Sequence, residues 1–290
     1  MGLFLSCGLL AMTGCGKENN DEILDANSFY VEMAPMVDES GSKVTFSSDS
    51  YLNLLYDEGD KIYVNNEPFT LRKKTGGKWV AQGSSSSMTN ATHDTLLGTG
   101  FSCIYTQSPA SIKGYSSSST GNYDVEFITQ TERIGDFTYY NSGIVLAGRT
   151  SDSLVTMYPS FAVIRFYITR ANINKLYVGF DNNVPVRRAV VSPQSGMPVL
   201  SNVRSNMRAP GSATDVYGPY AFGDLLYAVT NDVDAGGCYA YHVIVPLASD
   251  SVTTDLYIGW KLIGGQAGSK KTTSKVTLRR GVVYTVDLSF

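Results

Sequence analysis

Histidine is scarce in this sequence, with two residues in 290, and only 17% of the chain is Asp, Glu, Lys or Arg. Two histidines exclude a His-rich metal cluster, and any Ser-His-Asp arrangement would have to use His93 or His242. His93 stands among Asn90, Thr92 and Asp94 and reads as an exposed loop residue. His242 lies in an apolar, strand-like run and reads as a hydrogen-bonded structural histidine. A formal net charge of −3 gives no overall positive field to draw nucleic acid. Cysteine is also sparse: Cys7 and Cys15 fall in the N-terminal greasy segment, which leaves Cys103 and Cys238 for the folded body. Two thiols so far apart are no disulfide framework, and both read as buried. No long segment shows helical periodicity, and no apolar run approaches the roughly 20 residues of a membrane-spanning helix.

What is present is β-forming. Hydrophobic residues make up 43% of the chain, and its 19 tyrosines and 28 glycines accompany abundant Ser, Thr and Asn. The length suits one large or two ordinary domains at a prior of roughly 150 residues each. From residue 28 onward, short β-rich runs alternate with Gly, Asn, Ser and Asp clusters. Lys61 to Leu71 reads as two strands around Asn65-Asn66, because Asn tolerates the positive φ of a tight hairpin. Phe161 to Ile168 reads as a central strand, apolar on both faces. Gly196 to Pro219, rich in Pro, Gly, Asn and Ser, reads as a long loop. At the end, Val282, Tyr284, Val286, Leu288 and Phe290 share one apolar face, with Thr285, Asp287 and Ser289 on the other. A boundary near 150 gives two β domains, 28–148 and 149–290, each large enough for its own core.

The first 27 residues are of another kind. Leu3 to Met12 has the length of the apolar core of an export signal, and residues 1–14 read as a signal peptide. Met12-Thr13-Gly14-Cys15 resembles the lipobox of bacterial lipoproteins, in which cleavage falls between the last small residue, here Gly14, and the cysteine. The resemblance implies that Cys15 carries the lipid, and that several acyl chains hold the protein where one would hold it only marginally. Residues 15–27 would form an acidic tether, and Glu18 to Glu22 resembles the acidic signal of surface-exported lipoproteins of Bacteroides-type bacteria. No Lys or Arg precedes Cys15, which departs from the usual positive start of a signal peptide. Cys7 is a poorer cleavage point, because little apolar sequence precedes it.

Motifs for chemistry fail on inspection. Gly264 to Thr272 has Ser269 where a phosphate loop needs glycine before its lysine, and reads as a basic hairpin. Asp232-Val233-Asp234 opens like a calcium loop, but Val243 stands where the bidentate glutamate belongs. Asp124 and Glu126 alternate along a strand without showing that they flank a substrate. Trp79 and Trp260 lie in strand-like runs, where core packing competes with a role as a sugar-stacking platform.

Several segments together resemble the fimbrillin-like surface lipoproteins of Bacteroides and relatives. They are the Cys15 lipobox, Val44-Thr45-Phe46, Glu58-Gly59-Asp60-Lys61-Ile62-Tyr63-Val64, Tyr158 to Phe166, and Gly281-Val282-Val283-Tyr284. The resemblance implies an all-β chain of two tandem transthyretin-like β-sandwich domains, attached by lipid to the outer membrane at the cell surface or in a fimbria (pilus). It implies cell adhesion as a fimbrial subunit or as an accessory anchor or tip protein; since no motif for chemistry is present, no enzymatic activity, metal or cofactor is expected. Partners would be other pilus subunits, joined by strand exchange, and a surface ligand of unknown identity. Val282 to Phe290 has the alternation of a donated strand, as has any terminal strand that completes its own sheet. Relatives are often released by cleavage at an early arginine, whereas the first arginine here is Arg72. The alternative function is a surface glycan-binding lipoprotein.

Overall fold

The structure, a computed structural model, describes residues 28–41, 56–83, 100–106, 109–117, 121–127, 144–168, 173–180, 184–205, 226–229, 239–262, 267–271 and 274–288. The described chain is all-β, with 21 strands and one short 3-10 turn at Pro109–Ser111. In order, the first half holds β1 (Ser28–Met33), β2 (Val37–Asp38), β3 (Lys61–Val64), β4 (Glu67–Lys73), β5 (Trp79–Gly83), β6 (Phe101–Thr106), β7 (Ile112–Ser116), β8 (Asn122–Glu126) and β9 (Val145–Thr150). Then come β10 (Leu154–Pro159), β11 (Phe161–Ile168), β12 (Ile173–Phe180), β13 (Val186–Ser192), β14 (Val199–Ser205) and β15 (Leu226–Val229). The last six are β16 (Tyr239–Pro246), β17 (Ser251–Thr254), β18 (Leu256–Leu262), β19 (Ala267–Lys271), β20 (Val276–Arg279) and β21 (Val282–Leu288).

The sheet of the first half closes on itself in the order β1-β10-β9-β6-β3-β4-β5, a barrel of seven strands where an open sandwich was expected. Closure comes from β1, which pairs antiparallel with β5 and parallel with β10 and so joins two edges that would otherwise stand unpaired. Alternation along the strands decides what fills it: Phe29, Val31, Ile62, Phe69, Leu71, Phe101 and Val155 point inward and are buried. Asn65 and Asn66 turn the β3–β4 hairpin at φ +47° and +74°, the left-handed geometry that the Asn pair suggested. Residues 148 and 149, where the sequence suggested a division, lie inside β9.

Two further layers cover the barrel. Sheet β14-β13-β8-β7 packs on its flank, where Tyr123, Val125 and Val191 meet Ile104, Val145 and Ala147. That explains why all six residues of β6 are buried: Phe101, Cys103 and Tyr105 belong to the barrel core, Ile104 to the outer layer. The Tyr123 hydroxyl pins this layer, lying 3.1 Å from the Ser102 carbonyl oxygen and accepting the Asn66 N–H at 3.2 Å.

Sheet β16-β11-β21-β2 has two buried faces. Phe161 and Val163 of β11 join the barrel core, while Ala162 and Ile164 meet Phe180, Leu256 and Ile258 from sheet β15-β12-β18-β19. β11 is therefore the central strand its composition suggested, paired on both sides by β16 and β21. The segment from Gly196 to Pro219 departs from its loop expectation, since Val199–Ser205 forms edge strand β14. Its residues are mostly exposed, so it lacks the apolar alternation by which strands are recognised; residues 206–219 of that segment lie outside the described residues.

Candidate functional site

Beside β1, at one end of the barrel, lies a groove of about 410 Å³ whose walls include Tyr30, Glu32, Tyr56, Lys78, Trp79 and Leu154. It follows from unequal strand lengths. β1 stays paired with β10 as far as Met33, but its pairing with β5 ends at Val31 opposite Trp79. The chain turns away there through Gly76 and Gly77, both left-handed at φ +88° and +82°, and Lys74 N–H closes the turn on the Lys78 carbonyl at 2.8 Å. The side of β1 at Glu32 and Met33 is left open toward the groove.

Aromatic rings form its walls. Trp79 packs its inner side against the barrel core and stays half-buried. Tyr56 meets Trp79 edge-on at 5.9 Å and Tyr105 edge-on at 5.0 Å. Tyr30 is half-buried, and Leu154, its register partner on β10, is 43% exposed. Lys78 Nζ lies 5.3 Å from the Tyr30 ring centre, and Lys73 Nζ 5.8 Å from that of Trp79. The Glu32 carboxylate accepts a 2.7 Å hydrogen bond from the Thr156 hydroxyl.

The Glu58-Gly59-Asp60 segment supports this end of the barrel. Glu58 accepts the Lys73 N–H at 2.7 Å and the Arg72 guanidinium at 3.2 Å; chiefly the first contact holds its carboxyl below the usual range. Gly59 takes φ +94°, and Asp60 accepts the Tyr105 hydroxyl at 2.7 Å and the Asp57 N–H at 2.9 Å. Burial pushes the Tyr105 and Tyr56 phenols far up, so both stay neutral and able to donate. Tyr105 has found its acceptor, whereas the buried Tyr56 hydroxyl has no hydrogen-bond partner among the described residues.

Of the residues singled out in the sequence, Trp79 lies on this groove and the others do not converge on it. Gly14, Cys15, His93, Cys238 and Asp232 to Gly236 lie outside the described residues. His242 occupies β16 in register with Arg165, and Trp260 occupies β18 opposite Leu176 and Gly268; the side chains of both lie outside the described residues. Asp124 and Glu126 are bound to cations on their own sheet: Arg188 clasps both oxygens of Asp124, its Nε at 2.9 Å, and Lys113 meets Glu126 at 2.9 Å. Lys270 and Lys271 stand in β19, hairpin partner of β18. Cys103 is a free, buried thiol whose pKa burial pushes well up. Among the described residues no three His, Cys, Asp or Glu side chains come together as a metal site.

The candidate donor strand is part of its own chain's sheet. Val282–Leu288 runs parallel to β11 from Val163↔Val283 to Ile168↔Leu288, and its first two residues pair with β2. Tyr284 and Val286 face the C-terminal core as expected of one apolar face, while Val283 on the opposite face is also fully buried. Leu288 and Phe290 add no described side chain. The sequence missed Tyr30 and Tyr56, since nothing local places them beside Trp79; the Gly-Gly-Lys-Trp turn was the one visible signal.

The chain is thus an all-β protein with several packed sheets and an aromatic groove at the open end of β1. No family model and no curated protein matches it. Among solved structures it is similar to a candidate cell adhesion protein from Bacteroides ovatus, at 12% identity and TM-score 0.45 over 90% of this chain and 91% of that one. It is likewise similar to a candidate cell adhesion protein from Bacteroides uniformis, at 10% identity and TM-score 0.46 over 90% of this chain and 93% of that one.

Proposed function

We propose that the chain is a lipid-anchored cell-surface protein acting in adhesion, as a fimbrial subunit or as an accessory anchor or tip protein, with no reaction of its own. The observation that carries this reading is Met12-Thr13-Gly14-Cys15, placed directly after an apolar run and directly before the acidic stretch that ends at Glu22. Acyl chains on Cys15 would hold the protein at the outer membrane, and the tether up to residue 27 would set the barrel off from the lipid. The adhesive role is what the resemblance to fimbrillin-like lipoproteins implies.

The subunit and anchor readings differ in the fate of the last strand. In a fibre built by strand exchange, the segment carrying Val282, Tyr284, Val286, Leu288 and Phe290 passes to a neighbour; in an anchor or tip it stays beside β11. Arg165 and Thr285 are register partners, 3.1 Å apart through the guanidinium and the hydroxyl. The double variant Arg165→Cys with Thr285→Cys, oxidised on cells, separates the two readings. Cross-linked ladders support exchange, and a cross-linked monomer supports the anchor or tip. Mass spectrometry of the membrane-extracted protein tests the anchor itself: an N-terminus at an acylated Cys15 supports it, and an unacylated N-terminus upstream of Cys15 rejects it.

A further inference from the structure

From the groove beside β1 we infer that this protein carries a binding site for an acidic sugar, a pyranose bearing a carboxylate of the uronic acid kind. Aromatic side chains with one open side offer the flat apolar surface on which the C–H face of a pyranose rests, and Trp79 and Tyr30 are both half-buried on the groove walls. A volume of about 410 Å³ sits in the size range of small-molecule sites and accommodates one or two sugar rings. The exposed Leu154 extends the apolar floor on the β10 side.

Charge selects among sugars. The Lys73 and Lys78 ammonium groups lie over the Trp79 and Tyr30 rings, and neither forms an ion pair among the described residues. Lys78 lines the groove and Lys73 flanks it beside Trp79; both are exposed and can swing off the rings when a pyranose stacks there, and a carboxylate on the sugar then pairs with the displaced ammonium groups, where a neutral sugar offers them no partner. Glu32 is the one carboxylate on the wall among the described residues; the Thr156 hydroxyl orients it without cancelling its charge, and the two ammonium groups outnumber it.

This inference goes beyond the adhesion reading, toward the glycan-binding alternative, and rests on the proposed surface location only for the extracellular supply of the sugar. Binding by the purified protein and display on the cell are separate measurements, so either can fail alone. The test is calorimetric titration of the protein, residues 16–290, with oligogalacturonides of two to four residues, with their methyl esters, and with an Asp-rich hexapeptide. The expected result is saturable binding of the free acids that weakens with added salt, with little or none of the esters and peptide. Lys78→Gln, an exposed change that leaves the core intact, should weaken it about five-fold or more. Trp79→Leu should abolish it, and Tyr30→Leu checks the stacking role at a position outside the barrel core. No binding of the free acids, equal binding of the methyl esters, equal binding of the peptide, or indifference to Lys78→Gln and Tyr30→Leu overturns the inference.

Discussion

The Arg280 guanidinium donates twice to the Leu247 carbonyl oxygen, at 2.8 Å from Nη2 and 3.3 Å from Nε, with a side chain only 2% exposed. Its Nη1 also reaches the Pro198 carbonyl at 2.6 Å and the Asp250 carboxylate at 3.2 Å. One buried cation therefore ties the turn before β21 to the chain leaving β16 and to the approach to β14. Asp250 is 74% exposed and neutralises it only in part, so the carbonyl dipoles carry much of the charge's stabilisation.

Removing that cation leaves buried carbonyls without donors. Arg280→Met should cost about 3 kcal/mol, read as a lower urea midpoint with unchanged m, and Arg280→Lys should recover only part because it lacks the planar fork. A change under about 0.5 kcal/mol contradicts the role assigned to Arg280.

Gly148 of β9 marks a close approach of two backbones. A Cβ there would overlap the Thr156 carbonyl oxygen and meet Val155 Cγ2 at 3.0 Å, and Thr156 lies on β10, whose pairing with β1 helps close the barrel. Gly148→Ala should therefore destabilise by about 2 kcal/mol or more. Thermal unfolding reads this, and a wild-type midpoint contradicts it.

Three buried phenols, Tyr56, Tyr105 and Tyr123, have their ionisation pushed up chiefly by burial. Each binds its proton in the folded state when the unfolded chain, with a tyrosine pKa near 10, has lost it. The stability they contribute is complete below about pH 10 and falls above it, by about 4 kcal/mol per pH unit for the three together. Absorbance at 295 nm should show these phenols ionising only with cooperative unfolding. Smooth, independent titration near pH 10 without unfolding contradicts their burial.

The Arg188 guanidinium holds the Asp124 carboxyl below its usual range. A depressed folded pKa stabilises above the unfolded pKa near 4 and is lost as pH falls through the folded value. Both side chains are partly exposed, so solvent screening leaves the pair a small contribution. Asp124→Asn should thus differ slightly from wild type in urea unfolding at pH 7 and converge with it toward pH 2. A difference that grows on acidification contradicts the pairing.

Local pattern made some of this legible. The Asn65-Asn66 hairpin declared itself through residues that tolerate positive φ, and Phe161–Ile168 through apolar residues on both faces. Barrel closure did not, because alternation reports which face is buried and says nothing of neighbours. The contact that closes it joins Glu32 to Thr156, 124 residues apart. β14 was hidden for the opposite reason: Val199 and Val203 are 55% and 37% exposed on an edge, so no apolar stripe marks the strand. The groove is harder still, since Tyr30, Tyr56, Trp79 and Leu154 meet only once the barrel is closed. Read singly, Trp79 looked like core, and its inner side is.

Adherence of cells of the native host, with the chain deleted and then restored, tests the central claim most directly. Surface attachment should fall on deletion, return with the wild-type chain in a form that external protease can digest, and fail to return with Cys15→Ala. Undiminished attachment in the deletion strain, or full-length protein held in the cytosol beyond the reach of protease, would contradict the account.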